Sequence, residues 1–181
     1  WIAASRAVAD LAAVMGDSAT AATAKQSAER TRESMERTYW LDRRGFYAFA
    51  TAPPKRIVEE DTVLPAVPRW FGAVEAERAQ QEIDHLGAGA MQTDWGARIL
   101  SNRSALYDPL SYHYGSVWPL FTGWSAVAAY RYGRPHVGYT ALMSNALLTY
   151  PEALGYVTEL LSGDYATAFG RSSHHQIWSE A

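Results

Sequence analysis

The stretch from Leu154 to Trp178, LGYVTELLSGDYATAFGRSSHHQIW, concentrates the residues able to do chemistry. It sets Glu159 beside an aliphatic pair and a Ser-Gly turn, then places His174, His175, Gln176 and Trp178 where a new helix should begin. A carboxylate among aromatic rings and amide or imidazole donors is what hydrolysis of a sugar bond requires. A base must activate water beside a stacked, hydrogen-bonded ring. Glu159 is therefore the candidate base.

Further candidates stand earlier in the chain. Asp94 and Asp61 are the alternatives for a proton donor, although either also suits a sugar hydroxyl or a turn cap. His113, in Tyr-His-Tyr-Gly, can hydrogen-bond substrate oxygens, and Gly115 lets backbone approach a ligand. Trp95, Trp118 and Trp178 are flat enough to stack on sugar rings, and core packing is an equally good use for each. Arg98 is expected to pair with Asp94 or Asp108 and hold its loop. Adjacent histidines in a loop point apart, and no carboxylate stands at a ligand spacing, so His174-His175 with His113 does not read as a zinc site. No phosphate-loop, dinucleotide or Gly-x-Ser-x-Gly pattern occurs, and no cofactor is expected.

The elements that must position these groups read as helical. With 181 residues and 48% apolar content, the chain can bury a substantial core. A net charge of -3 gives no general attraction to nucleic acid or anionic lipid. No apolar run is long enough to span a bilayer, and absent cysteine excludes disulfides without separating cytoplasm from periplasm, so a soluble protein of unassigned compartment is expected. Apolar spacing predicts helices over Trp1 to Met15 and from Asp17 or Ser18 to about Thr38. An extended hairpin or loop over residues 45–59 and a short apolar segment over Val63 to Gly72 follow. Glu75 to Leu86 is amphipathic, Val117 to Tyr132 reads as a helix buried all round, and His136 to Thr149 as half exposed. Ser172 or Ser173 should cap the last helix. Residues 87–115 are too long for a mere connector and read as a packed, functional loop. Buried helices separated by one returning helix run parallel, so the loops at Tyr112 to Gly115 and Ser172 to Gln176 should share one end.

Five segments give a resemblance. TDWGARILS (Thr93 to Ser101), YDPLSYHYGSVWP (Tyr107 to Pro119), YRYG (Tyr130 to Gly133), TELLSG (Thr158 to Gly163) and HQIWS (His175 to Ser179) stand in the order seen in glycogen-debranching-type glucosidases, within the clan of (α/α)6-barrel glycosidases. The likeness covers nearly the whole chain. It implies an all-α fold, residues 1–181 being a single partial domain from the C-terminal portion of an (α/α)6 barrel in a longer chain. It also implies inverting hydrolysis of α-glucosidic linkages, with the α-1,6 branch among them. Glu159 matches the family's base, and its acid lies in an upstream segment. The partner acid would stand roughly 6.5 to 9.5 Å away across the cleft. Many relatives have proline at Thr158. Asp94, Trp95, His113, Trp118, His175, Gln176 and Trp178 would wall the sugar pocket. The expected partners are a carbohydrate and either the rest of the barrel or a second copy, without nucleic acid or membrane. A carbohydrate-binding fragment without catalysis, a helical scaffold for protein partners, and an epimerase or phosphorylase on the same barrel remain the rival readings.

Overall fold

The computed structural model describes residues 1–150, 155–174 and 176–180. Alanine-rich α1 (Ile2–Val14) packs antiparallel on α2 (Ser18–Tyr39), because Ala9, Ala12, Ala21, Ala24 and Ala28 let the two backbones approach closely. Asp17 starts α2 by accepting the Thr20 amide at 3.0 Å. Two antiparallel hairpins follow, β1 (Trp40–Leu41) with β2 (Phe46–Tyr47), and β3 (Ala50–Ala52) with β4 (Arg56–Val58). The expected short apolar segment forms α3 (Ala66–Trp70), and α4 (Ala76–Leu86) is capped by the Glu75 carboxylate. Residues 87–118 contain one more hairpin, β5 (Gln92–Thr93) with β6 (Gly96–Ala97). Helices α5 (Pro119–Arg131) and α6 (Pro135–Leu147) then form a close antiparallel pair, and α7 (Ile177–Glu180) packs on α5. Among the described residues, no helix is long and apolar enough to cross a membrane.

Two expectations need correction. Helix α5 is not buried all round, since Val127 and Tyr130 are exposed on one face while Thr122, Ala126 and Ala129 pack inward. Its neighbours are α3, α4, α6, α7 and β6. Nor do Ser172 and Ser173 cap α7, which starts four residues later. Both serines are used by the loop that carries Glu159.

The α2, α3 and α4 helices are fastened to the first hairpin by two buried glutamates. Glu36 accepts from the Tyr47 hydroxyl (2.8 Å), the Glu75 amide (2.7 Å) and Arg78 (2.8 Å). Glu82 accepts from the Tyr47 amide at 2.9 Å and pairs with Arg69, which is fully buried. Burial pushes the Glu82 carboxyl above its ordinary range, and the Arg69 guanidinium opposes that push. A buried charge stripped of its partner is costly. Arg69→Met should therefore lower unfolding stability by about 3–5 kcal/mol in urea denaturation, and adding Glu82→Leu should restore much of the loss.

Candidate active site

The site is assembled from loops rather than helices. Thr62 bridges Leu100, Arg98 bridges Val117, Val117 bridges Leu161 and Leu161 bridges Ala168, all antiparallel. The four contacts stitch the segments entering α3, α5 and α7 into one irregular sheet. Val117 and Leu161 exchange both backbone hydrogen bonds at 2.9 Å, which places Glu159 beside the segment that leads into α5. Packing then fixes its register. Leu160 enters a core of Val63, Met91, Ile99, Leu100 and Trp118, whereas Val157 and Leu161 enter a second one with Val117 and Leu148. Glu159 projects from between two buried anchors.

The carboxylate is only 6% exposed. Its Oε1 accepts a short hydrogen bond from the Tyr112 hydroxyl, and its Oε2 accepts the Ser173 amide at 3.2 Å. The Glu159 amide donates to the Ser173 carbonyl at 2.8 Å. Ser172 is spent alongside, its hydroxyl meeting the Thr158 hydroxyl at 2.6 Å and the Leu160 amide at 3.1 Å. Burial and the Glu159 carboxylate push the Tyr112 phenol up to about 12, so it stays a donor at neutral pH.

The structure thus brings Tyr112, from the loop before α5, and Ser173 together on the Glu159 carboxylate. His113 is exposed and lies against the Tyr112 ring, centroids 4.9 Å apart. Trp118 is 6% exposed and offers no open face; its indole N–H donates to the Tyr112 carbonyl at 3.1 Å and to the Ser116 hydroxyl at 2.9 Å. Trp95 packs on the second core and donates to the Ser162 carbonyl at 2.8 Å, so it wedges beneath the Glu159 loop. Gln176 is half buried just before α7, and Trp178 within it is exposed. His175 lies outside the described residues. Asp94 is exposed at the β5–β6 turn. Asp61 is already engaged, accepting from His85 at 2.7 Å. Among the described residues no group of three or more histidine or carboxylate side chains converges to hold a metal ion.

Arg98 departs from its expected role. It pairs with neither Asp94 nor Asp108 but donates to the carbonyls of Gly163 (2.8 Å) and Gly89 (2.9 Å) and to the Tyr107 hydroxyl (3.3 Å). Asp108 instead accepts the Leu110 amide at 3.0 Å within its own turn. A buried arginine next to orphan carbonyls is better used satisfying them. Tyr112 and Ser173 are the contributors that residue-type reasoning passed over. The signal for Tyr112 was the aromatic run Tyr-His-Tyr ahead of Gly115, read there for its histidine.

With this geometry in view, comparison with known proteins is decisive. Residues 1–179 match the family described as Mannosylglycerate hydrolase MGH1-like glycoside hydrolase domain. The chain belongs to that family. It is a glycoside hydrolase domain of the six-hairpin (α/α)6 type. No protein of curated function matches the sequence. The GH63 mannosylglycerate hydrolase from Thermus thermophilus, in complex with glucose, shares the fold at TM-score 0.79 and 19% identity over 98% of this chain and 41% of that one. An uncharacterized conserved protein from the same organism gives TM-score 0.79 at 19% identity over 98% and 42%. Neutral trehalase Nth1 from Saccharomyces cerevisiae gives TM-score 0.66 at 20% identity over 88% and 29%. The chain thus spans about two fifths of the hydrolase it resembles.

Two outcomes follow from the site's supports. A Cβ on Gly163 would overlap the Gly115 carbonyl and the Tyr107 hydroxyl. Gly163→Ala should cost about 1–3 kcal/mol in chemical denaturation and speed hydrogen exchange of the Leu161 amide. Its hydrogen bond to Asp61 raises the His85 pKa above its ordinary 6.5, although partial burial opposes it. The pair's stabilisation is therefore complete below about 6.5 and fades as pH rises through the raised value. Asp61→Asn should flatten that slope in urea titrations run between about pH 5.5 and 8.5.

Proposed function

We propose that this domain supplies the general base and part of the sugar pocket of an inverting α-glycosidase. The observation that carries the reading is a buried carboxylate, Glu159, with one donor on each oxygen, the Tyr112 hydroxyl and the Ser173 amide. Two donors leave lone pairs free on both oxygens, so the group can still take a proton from water. His113, packed on the Tyr112 ring, is the exposed candidate for a substrate oxygen, and Gln176 and Trp178, just before and within α7, are further candidates for the pocket wall. The general acid comes from outside these 181 residues. Asp61 is occupied by His85 and Asp94 is exposed in a hairpin turn, while the similar hydrolase is more than twice as long.

The substrate is an α-linked glucosyl or mannosyl group on a small or oligomeric acceptor. The mannosylglycerate hydrolase and trehalase likenesses favour a short substrate over a glycogen branch, and α-1,6 glucan is the alternative. Exposed Leu11 and Val14 on α1, with Met15 just after it, give the partner reading its support: further helical hairpins of the barrel, or a second copy, would cover them.

The test is hydrolysis of mannosylglycerate, trehalose, maltooligosaccharides and isomaltose by the longer protein that joins this domain to its general acid, with the first-formed anomer read by proton NMR. The expected result is release of the inverted anomer from one of these. Glu159→Gln should lower kcat by about 10²–10⁴-fold with sugar affinity by calorimetry largely kept. Turnover retained by that variant, or a retained anomer, overturns the reading.

A further inference from the structure

Tyr112 is held more firmly than a pocket wall needs to be. Its ring meets Trp118 edge to face, centroids 4.7 Å apart at 88°, and His113 at 4.9 Å and 82°. Its carbonyl receives both the Trp118 indole N–H and, at 2.9 Å, the Ser116 hydroxyl. Trp118 is in turn locked in the core with Phe121 and Leu160. The phenol at the end of this chain has one described polar partner, Oε1 of Glu159. An ionised carboxylate can only accept, so the hydroxyl donates.

We infer that Tyr112 is a positioning residue for Glu159, its hydroxyl fixing the carboxylate's orientation and holding the carboxylate in its proton-accepting form. The inference rests on Glu159 being the base. Burial favours the neutral form of a carboxyl, and a base must be ionised to act. The Ser173 amide, at 3.2 Å, is the longer of the two contacts, so Tyr112 is the closer donor on the carboxylate. The anion beside the phenol leaves its mark in the Tyr112 pKa of about 12, burial being the larger cause. Among the described residues, the titratable groups nearest the carboxylate by bonding or sequence are Tyr112 bonded to it, His113 packed on Tyr112, and His174 following Ser173. Trp118, read from sequence as a stacking platform, acts here through Tyr112.

The experiment uses the same longer protein and the substrate it turns over, with Tyr112→Phe and Glu159→Gln measured side by side. Tyr112→Phe should lower kcat by about tenfold or more with KM within about twofold, and move the acid limb of kcat/KM to higher pH. Independently of turnover, the 13Cζ resonance of labelled Tyr112 should move at neutral pH when Glu159→Gln removes the anion. Wild-type kcat and pH profile in Tyr112→Phe beside an inactive Glu159→Gln overturns the inference and leaves the base reading standing. Turnover retained in Glu159→Gln overturns both. Should Tyr112→Phe fail to fold, 3-fluorotyrosine at position 112, a stronger donor of nearly the same size, should move the acid limb to lower pH, and an unmoved limb overturns the inference.

Discussion

The reciprocal backbone bonds between Val117 and Leu161 are the constraint on which the rest depends. Glu159 sits in a loop between α6 and α7, and a loop of that length has ample freedom to carry a side chain away from any partner. Pairing Leu161 with Val117 removes that freedom two residues from the carboxylate. Because Val117 also bridges Arg98, and Leu100 bridges Thr62, the approaches to α3, α5 and α7 become one surface. Strand-like pairing thus does the positioning in a protein whose bulk is helical.

Side-chain chemistry completes what the backbone begins. The loop residues flanking Glu159 alternate between two apolar clusters, so the chain there cannot rotate without exposing Leu160 or Leu161. Polar groups stranded by this tight routing are satisfied from nearby: Arg98 serves the carbonyls of Gly89 and Gly163, Trp95 that of Ser162, and Ser172 the Leu160 amide. The two buried glutamates do the equivalent work at the first hairpin, binding the Tyr47 and Glu75 amides. Desolvated carboxylates are tolerated in all three places because each receives more than one donor.

Local physics was readable from the residues where it alone decides the outcome. Asp17 caps the helix that follows it, and the 3.6-residue spacing placed α1, α2, α4 and α6 within a residue or two, although Glu75 caps α4 rather than opening it and Pro119 and Pro135 stand at the starts read at Val117 and His136. Glu159 stood out for the same reason, as an acid inside an aliphatic run. Readings failed where a residue had a better distant partner than its local one. Ser172 and Ser173 are good caps by type, yet the Glu159 loop claims them across fourteen residues or so of chain. Arg98 looked for a carboxylate in its neighbourhood and found uncompensated carbonyls far along the chain. Trp118 has the shape of a sugar platform, but burial decided its use. Such choices depend on which segments meet, and spacing along one chain does not encode that.

The bridge between Leu161 and Ala168, reinforced by the Ser162 amide on the Thr167 carbonyl at 2.9 Å, closes a small hairpin whose tip is the exposed run Asp164 to Ala166. Both legs of that hairpin are clamped before the tip begins. Its length and composition can therefore drift over generations, with Tyr165 already reaching into solvent, while the acid two residues upstream of the clamp keeps its seat. The tip is thus a part of the molecule where sequence change comes at little structural risk.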